Sequence, residues 1–185
     1  MAANAKKRGP KLALALDQAE LEAKALAYLD RFDASATQLR RVLSAFVRRR
    51  CPDSARWQAP IDALVARYQA SGLVDDRRYA ETLAQSARAR GASRRAILAR
   101  LGSRGISQEL GREVLDRLEQ EGSGNAELVA ARALVRRRRL GPYRRSGEPR
   151  TNFRRDLGVL ARAGFDLDTA RAALQLPDDP DAEEF

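Results

Sequence analysis

Apolar residues recur along the chain at about one helical turn, in short blocks, each opened by a capping residue and closed by glycine or proline. Asp17 followed by Glu20 has the form of a capping box. Leu21, Ala25, Leu29 and Phe32 follow it at helical spacing. After a break at Asp33–Ala34, Ser35 and Gln38 repeat the capping pattern, and Leu39, Val42, Leu43 and Phe46 form the next apolar stripe. Pro52 and Pro60 bracket a longer connection. A third helix is predicted through Ile61, Leu64, Val65 and Tyr68, ending at Gly72. Either Asp75 or Asp76 can cap the next helix, which runs to Arg90 and stops at Gly91. Such a carboxylate pair could also do acid–base work, but capping is the plainer reading, since no second cluster of candidate catalytic groups accompanies it.

Ser93 opens a helix with Ile97, Leu98 and Leu101 on its apolar side, and Gly105 ends it. Ser107 caps another, with Leu110, Val114, Leu115 and Leu118. Gly122-Ser123-Gly124 is a break, and a helix over 125–140 follows. Beyond Gly141-Pro142 and a polar loop to Pro149, the pattern predicts two more helices, over 151–162 and 167–176. β-branched residues never alternate with polar ones, so the pattern predicts no sheet.

Two of these blocks are copies. SRRAILARLGSRGISQELGREVL (Ser93–Leu115) aligns without a gap to NFRRDLGVLARAGFDLDTARAAL (Asn152–Leu174), at an offset of 59 residues. Leu98 matches Leu157, Leu101 matches Leu160, Gly105 matches Gly164, Ile106 matches Phe165 and Leu115 matches Leu174. Glycine suits the left-handed residue that ends a helix, so that the next apolar side chain folds back. A looser third copy lies upstream, in Thr37–Leu43 and the turn Gly72-Leu73-Val74-Asp75, with an insertion between them. The expected fold is all-α: an elongated, curved array of three tandem three-helix, helix-turn-helix-like repeats. The boundaries are a disordered basic arm 1–16, a first repeat 17–75 with a loop insertion near 51–60, a second 76–122, a third 125–176, and a disordered acidic tail 177–185.

Charge sharpens this picture. The 185-residue chain has 35 Lys+Arg against 25 Asp+Glu, a formal net charge of +10. With 44% hydrophobic and 32% charged residues it is composed like a folded globular protein. The surplus is uneven. Arg88, Arg90, Arg94, Arg95, Arg100 and Arg104 fall in a stretch without an acid. Residues 131–155 hold ten arginines against Glu148: Arg132, Arg136, Arg137, Arg138, Arg139, Arg144, Arg145, Arg150, Arg154 and Arg155. Arg40, Arg41 and Arg48–Arg50 form a weaker third patch. These runs are read as a face for a polyanion or an acidic protein. The plainer alternative is a generic wet surface.

The absences narrow the function. The sequence has no histidine and one cysteine, Cys51, which excludes Cys/His metal sites, intramolecular disulfides and histidine-based triads. There is no GxxxxGK[ST], GxGxxG or GxSxG stretch. No apolar run approaches the length of a membrane span, and Leu12–Leu16 is too short for a signal peptide's core. The expectation is a cytoplasmic, non-enzymatic binding protein without cofactor or metal, with monomer as the default state.

GLVDDRRYA (Gly72–Ala80), RGASRRAILARLGSRGIS (Arg90–Ser107) and FRRDLGVLARAGFDLD (Phe153–Asp168), in this order and spacing, resemble the RecX family of bacterial recombination regulators. The resemblance covers about Leu21 to Leu174. It implies tandem three-helix repeats without catalysis, associated with the RecA recombinase filament on single-stranded DNA and lying along its groove. It further implies inhibition of RecA's ATPase, strand-exchange and coprotease activities, by blocking filament extension or promoting disassembly, and hence a part in DNA repair and the SOS response. Some members also bind DNA, which would extend to single-stranded and duplex forms here. Arg104 stands where family members often have lysine, and Arg162-Ala163 replaces a usual basic pair. The segment Cys51–Ala59, containing Trp57, is inserted in the first repeat.

The interaction candidates are the sixteen arginines of the second and third repeats named above. Tyr143 could stack on a base. Trp57 could anchor an interface or pack its own loop. Tyr79 and Phe153 are expected in the core. The competing function is a DNA-binding architectural or transcriptional protein of helix-turn-helix type, which the mixed charge of the helices at 107–120 and 167–176 supports less well.

Overall fold

The computed structural model describes residues 16–121, 125–144 and 149–175, without the side chains of 149–151. The expected arm (except Leu16), the Gly122–Gly124 break, most of the polar loop before Pro149 and the acidic tail lie outside the described residues. Among those described there is no strand. The chain is all-α, built of repeated three-helix units. It divides into two compact parts, 1–74 and 75–185.

The first part contains α1 (Gln18–Leu29), α2 (Ala36–Arg50) and α3 (Gln58–Ala70). Asp17 and Ser35 cap as the sequence predicts, accepting from the backbone N–H of Glu20 at 2.7 Å and of Gln38 at 3.1 Å. Leu21, Ala25, Leu39, Leu43, Val47, Ile61, Leu64 and Val65 form the core. α1 stops at Leu29, short of Phe32, which is half exposed and stacks beside Tyr28 with ring centroids 5.2 Å apart. The insertion is not a plain loop. It winds a 3-10 turn, Ala55–Trp57, that delivers Trp57 into the core. Of the two readings for Trp57, this placement is loop packing.

The second part contains two helix triplets: α4 (Asp76–Ala89), α5 (Arg94–Ser103) and α6 (Gln108–Glu121), then α7 (Ala126–Arg138), α8 (Pro149–Ala163) and α9 (Leu167–Leu174). Each triplet has its own core. Ile97, Leu101, Ile106, Val114 and Leu115 fill the first; Leu134, Val135, Leu160, Phe165 and Leu174 fill the second. The copied positions are therefore equivalent in packing: Leu101 and Leu160, Ile106 and Phe165, and Leu115 and Leu174 are all buried. Asp75 settles the ambiguity at the start of α4. Its Oδ1 accepts the backbone N–H of Arg77 at 2.9 Å and of Arg78 at 3.0 Å, so it is a cap. Tyr79 is buried and Phe153 is partly buried against the last core.

The third copy differs in detail from the sequence alignment. Gly105 joins α5 to α6 and Gly164 joins α8 to α9, the second and third helices of their triplets. Gly72 follows α3, the last helix of its triplet. The corner corresponding to Gly105 is occupied by the Cys51–Trp57 segment, so the insertion displaced the glycine signal that the alignment relied on.

Candidate interaction surface

The second and third triplets are joined by hydrogen bonds and ion pairs that draw on the arginine run itself. Arg88, near the end of α4, donates from Nη2 to Glu119 on α6 at 2.7 Å and from Nη1 to Glu127 on α7. Its side chain is only 10% exposed. Arg94, at the start of α5, donates to Asp116 at 2.6 Å and to Glu119 at 2.8 Å. Its backbone N–H is also satisfied by Glu127, at 3.1 Å and 3.2 Å to the two carboxylate oxygens. Partial burial pulls the Arg94 pKa down, yet the hydrogen bonds it donates to the Asp116 and Glu119 carboxylates outweigh this and hold it above the ordinary arginine value. One residue away, the buried Ser93 hydroxyl caps α5 by accepting from Ala96 N–H at 3.2 Å and donates to the Ala163 carbonyl at 2.7 Å. That bond spans the two triplets.

The sixteen candidate arginines thus separate by place. Arg88 and Arg94 belong to the joint, neutralised by the chain's own carboxylates. Arg144 is also internal. It pairs with Asp156 Oδ1, while Asp156 Oδ2 accepts the Gly141 N–H at 2.8 Å. Asp156 is 1% exposed, so this carboxylate is buried but fully engaged. Arg104 is half-buried. Arg145 lies outside the described residues, as does the side chain of Arg150. The remaining ten are exposed: Arg90, Arg95 and Arg100 around α5, Arg132 and Arg136–Arg139 on α7 and its end, and Arg154 and Arg155 on α8. None of these ten forms an ion pair with another described residue.

The Arg136–Arg139 quartet is split by the helix end. Arg136, Arg137 and Arg138 complete the last turn of α7, where cations meet the negative end of the helix dipole. Arg139 takes the left-handed conformation, φ 54°, ψ 50°, that glycine supplies at the ends of other helices. Tyr143 follows on a 3-10 turn, Gly141–Tyr143, and is 45% exposed. Val129, 63% exposed, stands one helical turn before Arg132. Val129 was not among the sequence candidates, although its spacing to Arg132 and Arg136 is legible as one helical face.

Among the described residues no group of three or more His, Cys, Asp or Glu is placed to hold a metal ion. None of the described helices is long and apolar enough to cross a membrane. The surface offers cations, one aromatic ring and shallow relief, which suits binding to an extended anionic partner.

A family model described as "RecX, second three-helix domain" matches residues 75–115, from the cap of α4 into α6. A regulatory protein RecX of Myxococcus xanthus (strain DK1622) is 37% identical over 175 residues, covering 91% of this chain and 91% of that one. The chain belongs to the RecX family. RecX proteins of Thermobifida fusca (strain YX) and Amycolatopsis mediterranei (strain U-32) are also similar. The first is 36% identical over 148 residues, 79% of this chain and 74% of the relative. The second is 34% identical over 105 residues, 56% of this chain and 57% of the relative. The relatives are named regulatory proteins, and this sequence carries no GxxxxGK[ST], GxGxxG or GxSxG stretch. The extensive match to the Myxococcus protein runs through both helix triplets described above, so the exposed arginines stand on a RecX scaffold.

Proposed function

We propose that this protein binds the RecA filament on single-stranded DNA in the cytoplasm and restrains its ATPase, strand-exchange and coprotease activities. Membership of the RecX family carries the reading. The ten exposed arginines of the second and third triplets support it, because none of them forms an ion pair with another described residue and their charge suits an anionic filament. The protein acts by occupancy. It enters as a monomer, and its helices supply a preformed surface, so little ordering cost opposes binding.

The deciding measurement is RecA-driven ATP hydrolysis on single-stranded DNA, with and without this protein. The expected result is a concentration-dependent fall in the rate. An unchanged rate at protein levels that saturate the filament overturns the proposal. Alanine at Arg136, Arg137 and Arg138 together weakens the effect while helicity by circular dichroism stays the same. Retention of one specific duplex sequence at elevated salt, without any effect on RecA, would identify a transcriptional DNA-binding protein instead.

A further inference from the structure

Five of the exposed arginines, Arg132 and Arg136–Arg139, sit on α7 and its end, and none of them forms an ion pair with a described residue. The sequence holds their counterpart further on. Asp178, Asp179, Asp181, Glu183 and Glu184 fall in the ten residues after Gln175, which contain no lysine or arginine. The structure fixes where that segment starts. α9 packs along α7. A Cβ added to Gly141 would lie 3.1 Å from the Leu174 side chain and 3.4 Å from the Leu174 carbonyl oxygen. Gly141 follows Arg139 and Leu140 directly, and Asp156 holds it by accepting its N–H at 2.8 Å. The end of α9 thus lies against the end of α7, and the chain leaves it at the exposed Gln175, beside the arginine quartet.

Reach and charge decide what meets this face first. From Arg132 to Arg139 is about 10 Å along a helix, at about 1.5 Å per residue. Ten residues of extended chain span up to about 33 Å. Opposite charges rooted this close are only weakly screened, since the Debye length is about 10 Å at 0.1 M salt. A tethered segment also has an effective concentration of about a millimolar, which a free ligand has to exceed. We propose that the acidic segment 178–184 folds back over the arginine face of α7 and covers it until an anionic partner displaces it. Its carboxylates lie on Arg132 and Arg136–Arg139, and Pro177 and Pro180 favour an extended path over a helix. The face is gated by the chain itself. A small polyanion does not displace the segment, whereas a partner that engages many arginines at once does. That this partner is the filament rests on the function proposed above; the fold-back itself does not.

The test places a nitroxide on the segment and reads the broadening of backbone amide signals in the isotope-labelled full chain. Cys51 is the one native cysteine, so the variant Cys51→Ala/Ala182→Cys carries the label. The amides from Arg132 to Arg139 broaden at about 20 mM salt and recover at about 500 mM. Alanine at Arg132, Arg136 and Arg137 together abolishes the broadening. The proposal is overturned if the broadening is absent at low salt, if it centres on Arg48–Arg50 or on Arg95 and Arg100, or if it survives high salt or the alanine variant. A second measurement needs no change at Cys51. Amide shifts of the native chain are compared with those of a chain ending at Gln175, and differences are expected from Arg132 to Arg139. Differences confined to 170–175 overturn the fold-back. The shortened chain also half-inhibits RecA's ATPase at a concentration lower by about threefold or more. An unchanged concentration overturns the gating. If neither chain affects the ATPase while the broadening meets every condition, the filament reading falls and the fold-back stands.

Discussion

Gly91 lies so close to α7 that a Cβ added to it would sit 2.6 Å from the backbone nitrogen of Leu134. The Ala130 carbonyl oxygen would be 2.8 Å away, and Gly91 has φ 79°. This turn between α4 and α5 is therefore both a helix stop and the point where the second and third triplets touch backbone to backbone. Gly91→Ala combines a left-handed alanine, about 1–2 kcal/mol, with an overpacked contact that adds about 1–3 kcal/mol. Gly72→Ala is the control. Gly72 has φ 74° but nothing within 4 Å of its added Cβ, so only the backbone cost applies. Urea denaturation should give a clearly larger loss for Gly91→Ala. Equal losses for the two variants would mean that the close approach does not hold the triplets together.

Arg88 tests the division between internal and exposed cations. Its guanidinium is 10% exposed, and its partners Glu119 and Glu127 are 33% and 23% exposed. Removing it leaves two partly buried carboxylates facing one another across the joint. The cost lies between that of a surface pair and that of a buried one, about 2–3 kcal/mol. Arg88→Ala should thus lower the denaturation midpoint, yet leave the salt slope of oligonucleotide binding as in the parent. Arg95→Ala should do the reverse: Arg95 is exposed and forms no ion pair with a described residue. A reduced slope for Arg88→Ala, with stability intact, would return Arg88 to the binding surface.

This division explains what the sequence could and could not disclose. Helix positions, caps and core residues follow from local periodicity, and Asp17, Ser35, Asp75 and Ser93 all cap where local pattern places a cap. The 59-residue copy survives as matched buried pairs because both blocks fold into the same packing. Charge is different. Arg88 and Arg90 are indistinguishable in a linear run, yet one is enclosed and the other exposed. Which of them faces outward depends on Glu119 and Glu127, which lie 31 and 39 residues away. A count of acids within the run sees neither. The Gly72 turn misled for a related reason: its local signature is that of Gly105, but its place in the triplet is set by how many helices precede it.

Arg139 offers a stability gain on the binding face. Its N–H donates to the Arg136 carbonyl at 3.2 Å, and the next N–H, of Leu140, donates to Val135 at 2.9 Å. The same pair of bonds closes α5, where Gly105 N–H donates to Gly102 at 2.9 Å and Ile106 N–H to Leu101 at 3.1 Å. The two ends share one capping geometry, but at α7 a side chain occupies the position suited to glycine. Arg139→Gly relieves about 1–2 kcal/mol of left-handed strain and gives back about 0.5–1 kcal/mol through the greater freedom of glycine in the unfolded chain. The net is a stabilisation of about 0.5–1 kcal/mol, read as a rise of a few degrees in thermal midpoint. The variant also loses one exposed cation, so its oligonucleotide affinity should fall and its salt slope should shrink if Arg139 contacts a phosphate. If Arg139→Gly is more stable and binds oligonucleotide and filament as the parent does, Arg139 has no part in that face.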